Sequence, residues 1–488
     1  MTEPKPYEPV ALERMTTGIA DLDGLIAGGI PRYSPVFIAG LPGTGKTILS
    51  QQIAFANARA GRTCLYLSSF AEPALKILRY LQSLSFFDLA LFGKRVIYDD
   101  LGSTPLADGP DGLLRQLDEL VRTHRPELLV IDSFKALHDR IPDQLAFRSF
   151  TYELAVRLAA WEVTTLLVGE YAEADLRAQP EFAIADGIVY LYGTEEAERQ
   201  KRFLRVMKLR GTPFFAGEHF FVIGADGLRV YPRMNPGIVD TSYVLSGERA
   251  GSVIEGLNAM LGGGLFAAST CLISGASGTG KSLVALSFLV EGARRGEPGL
   301  LVSFEESSNQ IRRNAAAFGW ELEDLGARGM LDLFHVSPSE LNIDQHAFDI
   351  KTRAEQLGAR RIVIDSITAF ETAVPSIAKY QSYLWALTDY CKRSGITVLL
   401  TTELADLPGP LQLSRRQVSF ISDTIILLRY HETAGTLARS LAVLKMRGSD
   451  HDKMVHELRI EPPRLLLGAT LATSPIPPIG TPSQAEGL

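Results

Sequence analysis

Two kinds of hydrophobic run alternate along the chain. Short runs such as Val36–Ala39, Thr63–Leu67, Leu128–Ile131 and Thr164–Val168 show no polar alternation. Longer amphipathic stretches lie between them, including Ile48–Ala60, closed by Gly61, and Leu145–Trp161. Continuous apolar strands spaced by helices predict a parallel sheet covered on both faces, an α/β fold. The second half follows suit, with strands near Gly299–Phe304, Arg361–Ile364 and Thr397–Thr401 and helices near Asn309–Phe318 and Ile377–Ser394. The stretches Asp186–Tyr192, Arg202–Leu209 and His219–Ile223 read as hairpins that extend the first sheet.

Three landmarks recur in one order. Gly40-Leu41-Pro42-Gly43-Thr44-Gly45-Lys46-Thr47 returns as Gly275-Ala276-Ser277-Gly278-Thr279-Gly280-Lys281-Ser282, with the lysines 235 residues apart. The strand ending at Asp132 returns 233 residues later at Asp365, and Lys208-Leu209-Arg210-Gly211 returns 237 later as Lys445-Met446-Arg447-Gly448. Near-constant offsets of this size mean a tandem duplication of whole domains. The expected division is residues 1–240, 241–461 and a proline-rich tail, 462–488. The junction runs from about Tyr231 to Gly251, where Pro232, Pro236, Gly237 and Gly247 interrupt both patterns. Ser474–Leu488 makes a poor core and is expected to be disordered.

The repeated loop carries the chemistry. A strand, a glycine-rich turn and a helix form a phosphate cradle: backbone N–H groups and the positive helix end face the anion. Lys46 and Lys281 reach its outer phosphates, and the Thr47 and Ser282 hydroxyls are Mg²⁺ ligands. ATP and Mg²⁺ are the groups this pattern calls for. Phosphoryl transfer then needs positioning and charge neutralisation. Asp132 and Asp365 end apolar strands, where a magnesium carboxylate belongs; a strand-end aspartate is otherwise a turn or helix cap. A cradle in both copies favours the metal role. A base is supplied by Leu301-Val302-Ser303-Phe304-Glu305-Glu306. Anchored on Phe304 and Phe70, Glu305 meets Ala71 and Glu306 meets Glu72 in the first copy. Acids that open a helix otherwise serve its dipole.

Composition adds exclusions. The 488 residues allow two or three full-sized domains. A net charge of −7 and a pI near 5.7 count against a nucleic-acid binder. Cys64, Cys271 and Cys391 are far apart and show no metal spacing, which fits a reducing cytoplasm. Met1–Val10 lacks the apolar core of a signal peptide, and no apolar run is long enough to span a membrane. The expected location is the cytoplasm.

Further motifs narrow the reading. The openers Thr17-Gly18…Leu22-Asp23…Gly28-Gly29-Ile30 and Gly256-Leu257…Gly262-Gly263-Gly264 accompany the two loops and the Glu305–Glu306 pair. Ile421-Ser422-Asp423-Thr424-Ile425-Ile426-Leu427-Leu428 precedes Lys445-Met446-Arg447-Gly448-Ser449…His451-Asp452-Lys453. Across roughly residues 14–460 this set resembles the circadian clock protein KaiC family, double-domain RecA-like ATPases. The resemblance implies two tandem RecA-like P-loop domains in a two-tier ring, usually a homo-hexamer, with ATP between neighbours. Nucleotide contacts are implied at Gly43, Thr44, Gly45, Lys46, Thr47 and Ile48, and at Ser277, Gly278, Thr279, Gly280, Lys281, Ser282 and Leu283. Ser83 joins the first site, and Phe318 and Arg439 the second. Lys208, Leu209 and Arg210, and Lys445, Met446 and Arg447, are implied to reach across to a neighbour's nucleotide.

In the family the first domain is a slow ATPase and the second a serine/threonine autokinase. Carried over, Glu305 is the base and a metal-site acid, with Glu306, Lys281 and Asp365 around it and Ser419 as phosphoacceptor. Glu72 and Asp132 are the acids left to the first site. Phe420 occupies the neighbouring acceptor threonine, so the usual two-site phosphorylation cycle is not available. Ala71 at the first site implies tight binding and slow hydrolysis. Nothing after Glu461 resembles the segment that recruits the activator KaiA, while a KaiB-like or other signalling partner stays compatible. Two alternatives stand beside the autokinase: a nucleotide-gated signalling scaffold without kinase activity, and a RecA-like DNA-dependent motor, which the acidic charge disfavours.

Overall fold

The computed structural model describes residues 12–68, 74–101, 109–141, 143–196, 199–234, 247–337, 342–374, 376–404, 420–433 and 436–471. Glu72, Ser419, the junction at 235–246 and the tail at 472–488 therefore lie outside the described residues. The chain divides into two compact units, Met1–Arg233 and Met234–Leu488.

The first unit is built on nine strands: β1 (Pro35–Gly40), β2 (Cys64–Ser68), β3 (Val96–Asp100), β4 (Leu128–Asp132), β5 (Thr164–Glu170), β6 (Gly187–Glu196), β7 (Arg199–Leu209), β8 (His219–Gly224) and β9 (Gly227–Tyr231). Their order is β3-β2-β4-β5-β1-β6-β7-β8-β9, parallel as far as β6 and antiparallel beyond it. Both faces are buried, as continuous apolar strands require. From β1, Val36 and Ile38 pack with Leu49, Ile53 and Phe55 of α1 (Lys46–Arg59). Phe37 and Ala39 point the other way, onto Leu114 and Leu117 of α2 (Gly109–His124) and Phe147 and Phe150 of α3 (Gln144–Trp161).

The second unit repeats the plan with β10 (Thr270–Gly275), β11 (Gly299–Ser303), β12 (Leu331–His335), β13 (Arg361–Asp365), β14 (Thr397–Glu403), β15 (Thr424–Thr433), β16 (Thr436–Met446), β17 (His456–Glu461) and β18 (Arg464–Thr470). The order β12-β11-β13-β14-β10-β15-β16-β17-β18 is the same order. Helices α4 (Lys281–Arg294) and α5 (Ser308–Ala316) cover one face, and α6 (Ile343–Leu357) and α7 (Ile377–Arg393) the other. The expected domain end at Glu461 needs correction. Pro462 and Pro463 sit in a turn, and Arg464–Thr470 returns as an antiparallel strand on β17, so the sheet runs nine residues into the supposed tail. Proline composition marked the turn and hid the strand behind it.

Among the described residues no helix is long and apolar enough to cross a membrane. All three cysteines are free and buried in the cores.

One internal difference between the copies is a charge. Arg361 is fully buried where the first copy has Leu128. It donates to Gly251 O at 2.7 Å, Phe288 O at 2.6 Å and Glu297 Oε2 at 2.6 Å. Gly292 makes room for it, since a Cβ there would lie 2.5 Å from the arginine stem. Arg361→Leu restores the residue of the first copy but strands two buried carbonyls and Glu297. The second domain should lose about 2–4 kcal/mol in denaturant unfolding; a loss below about 0.5 kcal/mol would show that the arginine is no such pin.

Candidate functional site

Each cradle sits at the carboxyl end of the central parallel strand, β1 or β10, with the helix that follows starting at the lysine. Gly45 and Gly280 precede those helices in left-handed conformations, φ 98° and 101°, which glycine adopts without strain. Lys46 Nζ donates to Leu41 O at 2.8 Å; Lys281 Nζ donates to Gly275 O and Ala276 O, both at 2.9 Å. Both ammonium groups titrate below the ordinary lysine value because burial disfavours their charge. Carboxylates work against that: Glu170 and then Asp132 at Lys46, and Glu403, Asp365 and Glu305 at Lys281.

The strand-end aspartates take hydroxyl donors from the cradles. Thr47 Oγ1 donates to Asp132 Oδ2 at 2.8 Å, and Ser282 donates to Asp365. A hydroxyl beside a carboxylate is an all-oxygen donor set that suits Mg²⁺. Among the described residues no group of three or more His, Cys, Asp or Glu side chains forms a self-sufficient metal site. The peptide bond after each aspartate is cis, in both copies.

Glu305 is exposed and accepts from Ser366 Oγ at 2.7 Å, which ties it to the residue following Asp365. Glu306 is half-buried and accepts from Asn314 Nδ2 at 3.2 Å. Helix α5 starts only at Ser308, and Ser307 caps it in a box with Gln310. The two acids precede the cap, so they are not first-turn dipole charges. The register aligns the two copies as far as the ends of these strands. Ser68 lies level with Asp132, and Ser303 with Asp365. Two residues past Ser303 stands Glu305, and two past Ser68 stands Phe70. Phe70 and Ala71 lie outside the described residues, so the pairing of Glu305 with Ala71 stands as read from the sequence.

Arg439 joins the second cradle, its Nε donating to Gly278 O at 3.2 Å and its guanidinium 5.7 Å from the Tyr430 ring centroid. Ile48 and Leu283 lie partly buried against the cores. Phe318 is buried, stacked on Trp320 at 5.1 Å, and Ser83 is exposed with its Oγ donating to Tyr80 O. The Lys-x-Arg runs sit elsewhere. Met446 pairs with Thr424, and Thr424 with Cys271, so the run lies level with the start of β10 while the cradle follows its end. Four strand residues separate the two, roughly 13 Å, beyond a lysine's reach. Lys445 Nζ donates to Ser422 O at 2.7 Å and Arg447 faces Asp423 at 3.9 Å; Arg210 donates to Asp186 at 3.0 Å at the matching place in the first unit. Leu209 and Met446 bury their side chains, so only their backbone is available to a ligand.

Glu170, Glu403, Thr401 and Tyr66 are site residues that sequence reasoning missed. The two glutamates had a signal: each stands 38 residues after its aspartate. They pair with the last cradle-strand residues, Gly40 and Gly275. Thr401 and Tyr66 had none, because both read as strand filler.

A family profile described as the KaiC ATPase matches residues 15–235 and again 250–466. Similar curated proteins include the circadian clock oscillator protein KaiC of Picosynechococcus sp., 31% identical over 463 residues, which spans 92% of this chain and 88% of that one. The circadian clock oscillator protein KaiC 1 of Synechocystis sp. is 31% identical over 464 residues, with 92% and 88% covered. The circadian clock protein KaiC3 of the same organism is 30% identical over 468 residues, with 93% and 91% covered.

The second site concentrates negative charge. Burial holds the Asp365 carboxyl above the ordinary range despite its Thr401 and Ser282 donors, and Glu306 is raised by burial and then by Asp365. A raised folded-state pKa stabilises the fold while the group is protonated, and that stabilisation is lost as pH rises through the raised value. Asp365→Asn should therefore raise the melting midpoint of the nucleotide-free second domain at pH 8 by roughly 2–4 °C. The gain should shrink as pH falls toward the ordinary carboxylate value of about 4. Thermal melts across pH check this, and a gain equal at every pH would rule out the electrostatic cause.

Proposed function

Because the chain belongs to the KaiC family of ATPases, we propose that it is a cytoplasmic two-tier homo-hexamer that binds Mg·ATP at both cradles, hydrolyses it, and phosphorylates its own Ser419. The observation that carries this reading is the convergence of Lys281, Ser282, Asp365 and Glu305 at one end of the second sheet. Thr47 and Ser282 would hold Mg²⁺ with Asp132 and Asp365 beside them; the bound ion neutralises charge on the outer phosphates. Glu305 takes the proton from the serine hydroxyl as its oxygen attacks the γ-phosphorus. The bond to the β–γ bridging oxygen breaks, and ADP leaves. In the first domain Ala71 stands in the sequence where the second has Glu305, so binding there outlasts hydrolysis. Relatives are named as circadian clock proteins, and a role in circadian-type signalling with a KaiB-like partner extends that to this chain.

The ring explains the Lys-x-Arg runs. Lys208 and Arg210, and Lys445 and Arg447, stand too far from their own cradles to serve them, and a neighbour's γ-phosphate is the target that such placement suits. One observation favours a second reading, a nucleotide-gated scaffold without kinase activity. Phe420 is 52% exposed at the position where the resemblance places an acceptor threonine.

Incubation with Mg·ATP should yield a phosphopeptide at Ser419, and Glu305→Gln should slow its formation by about 10²–10⁴-fold. Unmodified Ser419 in the wild type would leave the scaffold reading. Subunit mixing tests the ring: Lys281→Ala and Arg447→Ala, each inactive at the second site, should recover activity when mixed. No recovery would place Arg447 outside a shared site.

A further inference from the structure

We propose that Tyr66 is a positioning residue of the first site, holding Asp132 in place when the cradle hydroxyl turns away to the metal ion. The inference rests on the reading above that the first cradle binds Mg·ATP. Asp132 Oδ2 accepts from Thr47 Oγ1 at 2.8 Å and from the Tyr66 phenol at 2.7 Å. These two donors have different fates. Thr47 belongs to the cradle, and its oxygen is the one the ion would take. Tyr66 belongs to β2, buried at 2% exposure and stacked on Tyr98 at 4.9 Å. It has no reason to move.

The phenol's proton has two acceptors within reach. Ser50 Oγ lies 3.0 Å from the phenol oxygen, and Ser50 donates its own proton to Thr47 O at 2.9 Å; Asp132 Oδ2 is nearer, at 2.7 Å. The carboxylate, as the charged acceptor, takes the phenol's proton.

The second site solves the same problem from the opposite flank. Strand register and spacing from the cradle lysine put Leu301, Leu333 and Ala285 where the first copy has Tyr66, Tyr98 and Ser50. Asp365 instead accepts from Thr401 on β14, and the first copy has Val168 at that place on β5. Each aspartate thus has one donor that leaves on loading and one that stays. The staying donor comes from β2 in the first copy and from β14 in the second.

The test uses the full chain in a Lys281→Ala background, so that nucleotide binding is read at the first site. Mn²⁺ is titrated into the ATP-saturated protein and followed by electron paramagnetic resonance. Tyr66→Phe should weaken Mn²⁺ binding by about 10–100-fold, the usual effect of removing an outer partner of a metal ligand. ATP binding measured without metal should not change. Val168→Thr added to Tyr66→Phe supplies the donor used by the second site and should restore most of the affinity. Mn²⁺ affinity unchanged in Tyr66→Phe overturns the proposal, as does an equal loss of metal-free ATP binding or a failure of Val168→Thr to rescue. If the parent itself binds no Mn·ATP, the reading of the first site falls, and this proposal with it.

Discussion

Each cradle lysine is a cation taken largely out of water, and the fold around it is arranged to make that tolerable. Lys46 and Lys281 lie under loop carbonyls, with the ends of neighbouring parallel strands aiming carboxylates at them. An unpartnered buried ammonium would shed its proton. Strand order prevents this. Placing β5 and β4 successively beside β1 brings Glu170 and Asp132 to the same sheet edge as the loop, and β14 and β13 do the same beside β10. Those carboxylates offset part of the cost of burying the ammonium.

Close approach of the backbone fixes the loop's position. A Cβ on Gly40 would lie 2.1 Å from Leu191 O, and one on Gly275 would lie 2.7 Å from Leu428 O. Only glycine lets the chain leave the strand there and turn over its neighbour. The antiparallel strands beyond β6 and β15 carry the Lys-x-Arg runs back toward the opposite edge, because an antiparallel partner ends where its neighbour begins. One sheet therefore presents its cradle at one edge and its Lys-x-Arg run at the other. That polarity is what the proposed ring would use, one subunit's Lys-x-Arg run meeting the next one's cradle.

Much of this was legible in the sequence. The doubling, both cradles, the strand-end aspartates and the Glu305–Glu306 pair all carried signals in spacing or residue type, and the central strands fell within a residue or two of expectation. What escaped had no local signature. Tyr66 and Thr401 look like strand filler until register sets them beside a carboxylate. Arg361 reads as a surface charge at a strand start, yet it is buried, because only three-dimensional packing supplies Gly251 O and Phe288 O as acceptors. The strand after Pro463 was hidden by composition.

The two copies share a fold and differ in how their polar groups are connected. At the mouth of the second cradle the Tyr430 hydroxyl stands 2.7 Å from where a Cβ of Gly278 would be, with Arg439 alongside; at the level of Tyr430 the first copy has Gly193, and Gly43 faces open space. Behind the cradle, Lys281 faces Glu403, Asp365 and Glu305, whereas Lys46 faces Glu170 and Asp132. Burial raises Asp365 and Glu306, and the carboxylates crowded beside a single cation add to it. A divalent ion arriving with a nucleotide relieves more repulsion at the second site than at the first. On the proposed reading, loading of the second site would couple more strongly to divalent cation, and that asymmetry would arise from a few side chains on an otherwise duplicated frame.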